Sequence, residues 1–124
     1  MISLRQIVQL DEQTQKEVAT LEQKCEQLVN KLNKQYACKQ INIVIELVRC
    51  RKGKLVSNHE IFTEDYESFL EIGIEEEEDY YPNDYIPIWK CKQELFHKVG
   101  YLTDDSIKLI EEKLHCLVQE LLMD

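Results

Sequence analysis

Carboxylates and aromatic rings crowd one stretch of this chain. Residues 60 to 84 hold eleven acids (Glu60, Glu64, Asp65, Glu67, Glu71, Glu75, Glu76, Glu77, Glu78, Asp79 and Asp84) and no Lys or Arg. Seven of the ten aromatic residues fall between 62 and 89: Phe62, Tyr66, Phe69, Tyr80, Tyr81, Tyr85 and Trp89. Carboxylates steer a basic partner and pair with its Lys and Arg, while Tyr and Trp give low-entropy contact area and stack on guanidinium groups. A row of carboxylates also imitates the phosphates of a nucleic-acid strand. The expected docking residues are Glu75, Glu76, Glu77, Glu78, Asp79, Tyr80, Tyr81, Asp84 and Tyr85, with Trp89 as an anchor. The competing reading is a solvated acidic loop that keeps the protein soluble, with Tyr66 and Phe69 in the core.

Charge is segregated along the chain. With 24 acids against 15 Lys and Arg over 124 residues, the net charge is −9, yet the chain outside residues 60–84 carries 13 acids and 15 bases. The acidic balance argues against direct binding to nucleic acid or to an anionic membrane surface. A smaller basic group, Arg49, Arg51, Lys52 and Lys54 around Gly53, reads as an exposed turn whose Lys residues protect a strand edge. Contact with phosphate or with an acidic patch of a neighbouring subunit is the other use such a group could have. Lys90, Lys92 and Lys98 flank Trp89 and would partly neutralise the acidic stretch.

Motifs for catalysis are missing. Only three glycines occur, Gly53, Gly73 and Gly100, too dispersed to cradle a nucleotide, and neither a phosphate loop nor Gly-x-Ser-x-Gly is found. Ser57 and His59 would share a strand face but lack a third member. Glu111 and Lys113 match the end of a nuclease motif only as ordinary surface residues of a helix. The five cysteines (Cys25, Cys38, Cys50, Cys91, Cys116) form no Cys-x-x-Cys. The tightest Cys/His combinations are Cys91 with His97 and His115 beside Cys116, and the second is a poor ligand pair because adjacent helical residues point about 100° apart. Glu75 to Asp79 with Asn83 and Asp84 offer oxygens without the frame that wraps one calcium ion. The expectation is a non-enzyme with free thiols, no metal and no cofactor.

The elements follow from periodicity. Ser3 with Gln6 offers a capping box for a short helix from Leu4 to Leu10, and Thr14 with Glu17 a second one. Val18, Leu21, Cys25, Leu28 and Leu32 trace an amphipathic helix ending near Tyr36, about 35 Å long from Thr14. Asp11 either splits this region or lies on one continuous helix. Ile41, Ile43, Ile45 and Leu47 alternate as a strand, Gly53 marks a tight turn, and Leu55 to Phe62 would return. Phe69 to Glu75 read as a third strand, with a Thr63-capped helix over Glu64 to Ile72 as the alternative. Residues 75–86 are expected as an acidic aromatic loop. Pro87 would then open a helix through Ile88, Cys91, Leu95, Phe96 and Val99, ending at Gly100. Thr103 would cap the last helix, with its seam Ile107, Ile110, Leu114, Leu117 and Leu121.

The predicted fold is α+β in a single domain, 1–124: helical over 3–36, a β-hairpin or three-stranded antiparallel sheet over 40–75, the loop, and two helices over 87–122. No apolar run exceeds three residues and no secretory signal is visible, so a cytoplasmic location without membrane contact is expected. The function expected is inhibition or neutralisation of a basic, nucleic-acid-handling partner, by the logic of immunity proteins, antitoxins and phage counter-defence inhibitors. The alternative is a small acidic homodimeric assembly or secretion chaperone, or a scaffold, acting through its helical seams.

Overall fold

The structure, a computed structural model, describes residues 4–123. It contains strand β1 (Leu4–Ile7), helix α1 (Glu12–Cys38), strands β2 (Ile43–Arg51), β3 (Lys54–Leu55), β4 (Tyr66–Glu76), β5 (Asp79–Glu94) and β6 (His97–Thr103), and helix α2 (Ile107–Met123). The strands form one antiparallel sheet of six in the order β1-β6-β5-β4-β2-β3. The α+β class holds, but the predicted arrangement of a small hairpin or three-stranded sheet followed by two C-terminal helices does not. Residues 79–103 are a long hairpin, and one helix follows it.

The error over 87–99 has a physical cause. β5 pairs Leu70 with Ile86, Phe69 with Pro87 and Ser68 with Trp89, which leaves Ile88 as an extra, bulged residue. A bulge puts two successive side chains out of alternation, so Ile86, Ile88, Trp89 and Cys91 all reach the core. Ile88 and Cys91 thereby stand three apart, as on a helix, while Leu95 and Phe96 of the expected stripe are turn residues and Val99 belongs to β6. A second bulge leaves Asn83 unpaired between the Ile72–Asp84 and Gly73–Pro82 pairs. Both prolines lie at or beside the bulges, where a missing N–H is tolerated.

Smaller corrections follow the same logic. Leu4–Ile7 pairs with β6 as an edge strand, not a helix; Ser3 lies outside the described residues. Asp11 is the cap of α1, its Oδ1 accepting from the Thr14 backbone N–H at 3.0 Å, so the Thr14 box is not used. Only Lys54–Leu55 return against β2; the chain then crosses through a short 3-10 turn, Asn58–Glu60. Ser106, not Thr103, caps α2, accepting from the Leu109 N–H at 3.2 Å.

Both helices lie on one face of the sheet. Val18, Cys25, Leu28 and Leu32 of α1 and Ile110, Leu114, Val118 and Leu121 of α2 join Ile43, Ile45, Leu70, Ile72, Ile88 and Trp89 in one buried cluster. Both helical seams are therefore spent on a common sheet face. At one end of this core the Trp89 Nε1–H donates to the Ile61 carbonyl at 2.8 Å, and Phe62 packs on the indole with ring centroids 6.2 Å apart. Among the described residues, the opposite face of the sheet carries no helix.

Candidate functional site

Alternation along β4 decides where the acidic stretch goes. Tyr66, Leu70 and Ile72 turn toward the helices, so Glu67, Phe69, Glu71 and Gly73 fall on the helix-free face. The register brings Glu46 of β2 directly opposite Glu71, and Tyr85 of β5 opposite Glu71 on the other side. Two carboxylates facing each other across strands repel. The Tyr80 O–H partly relieves this by donating to Glu71 Oε1 at 3.1 Å. Burial, followed by the charge of Glu71, pushes the Tyr80 phenol well above its ordinary range. It therefore stays a donor at neutral pH.

The Tyr80 ring packs against Gly73. A Cβ there would sit 2.7 Å from the ring and 2.5 Å from the Tyr81 carbonyl, so only glycine fits. Phe69 and Tyr85 meet edge to face with centroids 5.8 Å apart, and Tyr85 remains exposed. The helix-free face near the β4–β5 turn thus presents Phe69, Tyr80 and Tyr85 among Glu46, Glu67 and Glu71. Lys90 stands directly across from Glu67 on this face, and farther along lies Lys92, with Nζ 5.9 Å from the Tyr101 ring centroid.

The expected loop is a hairpin. Glu75 and Glu76 end β4, Asp79 pairs with Glu76, and Glu77–Glu78 form a two-residue turn. Both turn residues have positive φ, 50° and 78°. Such a turn favours Asn-Gly, and left-handed backbone is costly for a residue with a long side chain. All five acids of the run are exposed. Tyr81 and Asp84 are exposed as well, and Asp84 Oδ1 accepts from the Tyr85 backbone N–H at 2.8 Å. Nine of the ten expected docking residues therefore belong to one hairpin arm. Trp89 does not: it is fully buried, locked by Ile61 and by Gly100, where a Cβ would stand 1.9 Å from its ring. Its indole is a core pillar and anchors no partner. Glu46 was missed by sequence reasoning, because only the β2–β4 register reveals it as part of the patch.

The basic group is drawn partly into the interior. Arg49 bridges Glu22 at 2.9 Å and Glu26 at 2.8 Å, so it does not belong to the exposed turn. Lys52 and Lys54 do, and Lys52 pairs with Asp65 at 3.7 Å. Among the described residues no group of three His, Cys, Asp or Glu is placed to hold a metal ion. Cys25, Cys50 and Cys91 are buried thiols, while Cys38 and Cys116 are exposed; all five are unpaired. No helix of the described residues is long and apolar enough to cross a membrane. Comparison with protein-family models, with curated proteins and with solved structures finds no match.

Proposed function

We propose that this chain is a non-enzymatic binding protein whose β4–β5 hairpin docks on a basic surface of a partner protein, of the kind that grips nucleic acid. One observation carries the reading. Carboxylates that would normally be dispersed are held together at some cost: Glu77 and Glu78 occupy left-handed turn positions, and Glu46 opposes Glu71 across the strands. A hairpin selected for stability alone would place Asn-Gly at the turn and Lys or Thr opposite Glu71. The aromatic rings beside the acids supply flat contact area for Arg side chains. Successive exposed carboxylates along the arm give the partner's groove a line of negative charge to read in place of phosphates.

The alternative of a homodimer joined through the helical seams finds less support, because Leu28 and Leu114 are consumed by the chain's own core.

The test is capture of the partner from the source cell at low and high salt, followed by direct binding measurements. Replacing Glu75 to Asp79 by Gln and Asn is expected to abolish binding while circular dichroism is unchanged. Wild-type binding should weaken steeply with salt, and a short nucleic-acid duplex should displace the chain from its partner. Binding that survives the neutralised variant, or that ignores salt, overturns the reading.

A further inference from the structure

The β5–β6 turn breaks two rules at once. Glu94 pairs with His97, leaving Leu95 and Phe96 as the two turn residues. They are 90% and 96% exposed, and Leu95 has a positive φ of 50°. Neither the backbone geometry nor the contact with water favours Leu and Phe there. The flanking residues are basic: Lys92, His97 and Lys98 are exposed, and the one nearby acid, Glu94, accepts from the Tyr101 O–H at 2.6 Å.

The other end of β5 has the complementary defect. β6 begins to pair with β5 only at Trp89, so residues 79–88 have a ladder partner on the β4 side alone. Between this unpaired edge and α2 runs an open groove of about 470 Å³, walled by Tyr85, Ile86, Pro87, Leu109 and Leu117. Asp84 and Glu112 rim it, and the charge of Asp105 beside them is met by Lys113. An apolar groove with an acidic rim and an apolar tip with basic flanks match in both polarity and charge.

We infer that the Leu95–Phe96 tip docks into the groove between β5 and α2 of a second copy of this chain. Tip and groove sit on one strand, about nine residues or roughly 30 Å apart. Two copies related by a two-fold axis across β5 bring each tip to the other's groove, a closed, reciprocal contact. The acidic run at Glu75–Asp79 lies outside this contact and stays free for another partner, whereas Asp84 and Tyr85 of the hairpin are shared with the groove.

Sedimentation equilibrium of the full chain tests the inference. The wild type is expected to be a dimer whose dissociation constant rises with salt. Leu95→Asn with Phe96→Ser should raise that constant by about a hundredfold or more. Because Asn suits a positive φ, this variant should melt no lower than wild type in the monomeric state, so lost dimerisation cannot be misfolding. Leu109→Glu, in the groove wall, should give the same loss. Mixing the two variants should restore a weaker heterodimer, since that pair keeps one intact tip and one intact groove. Replacing Glu75 to Asp79 by Gln and Asn should leave dimerisation in place. A monomeric wild type, or a dimer indifferent to both variants, overturns the inference. So does a monomer whose Leu95 and Phe96 instead govern binding to anionic phospholipid vesicles.

Discussion

Glu22 is fully buried, yet its carboxylate is surrounded by donors. Arg49 Nε approaches at 2.9 Å and the Tyr66 O–H at 2.7 Å, while Arg49 reaches on to Glu26 at the surface. The group joins α1 to β2 and β4 through side chains alone. A buried carboxylate needs such partners, because desolvation removes more free energy than one ion pair returns. Arg49→Met should therefore destabilise by roughly 3–5 kcal/mol, since it strands the charge of Glu22 in the core. Tyr66→Phe should cost about 1–3 kcal/mol, because Glu22 keeps Arg49. Urea unfolding of the two variants checks the order, and equal losses would refute the account. From sequence, Arg49 looked like a member of an exposed basic turn. Its strand position and the helix facing it decide otherwise.

At the scale of elements, the β4–β5 hairpin is the part of the fold most at odds with its own sequence. Each left-handed position taken by Glu77 or Glu78 costs on the order of 1 kcal/mol relative to a residue suited to it. Replacing the pair by Asn-Gly should raise the melting temperature by about 4 °C or more. The same change removes two carboxylates and should weaken partner binding, so stability and binding move in opposite directions. A melting temperature that stays put or falls would show the turn is not strained. The β2 edge shows the reverse economy. Asn33 of α1 donates to the Ile45 carbonyl at 2.8 Å and accepts from the Ile45 N–H at 3.0 Å, doing for that edge what a neighbouring strand would do. The edge groups of Ile45 are thereby withdrawn from pairing with other chains. The β5 edge has no comparable cover over residues 79–88, although Pro82 and Pro87 carry no N–H and Asp84 holds that of Tyr85.

For the whole molecule, a loss of stability at alkaline pH follows from protons that the fold holds on phenols and thiols, those of Tyr66, Tyr80 and Cys25 foremost. Burial, then hydrogen bonding to Glu22, raises the Tyr66 phenol far above its usual range; burial and Glu71 do the same for Tyr80. Burial, helped by Glu22, pushes the Cys25 thiol up to about 12. The unfolded chain releases these protons near pH 8.5–10 on the scale of free side chains, whereas the folded chain keeps them. Their contribution is complete below that range. Above it the unfolded state binds fewer protons, so stability falls as pH rises. Thermal melts between pH 8 and 11 should show a progressive loss, flatter in Tyr66→Phe than in wild type. An unchanged slope in that variant would assign the loss to other groups.

Local pattern alone determined a good deal. The period of 3.6 in residues 18–32 and 107–121, the alternation over 41–47, the turn at Gly53 and the charge segregation of residues 60–84 all survive in the fold, because each rests on neighbours within one or two turns of chain. The helix expected over 87–99 failed because the bulge at Ile88 and the turn at Leu95–Phe96 together set apolar residues at helical spacing, and both exist only where neighbouring strands set the register. Trp89 was misplaced for a related reason: only the core reveals that Gly100 leaves room beneath its ring. Glu46 joined the acidic face, and Arg49 left the basic turn, through pairing between residues 23 or more positions apart. A linear pattern says which residue types a stretch can offer to a partner. Which side of the sheet offers them is decided by strand register, and register is a property of the assembled sheet.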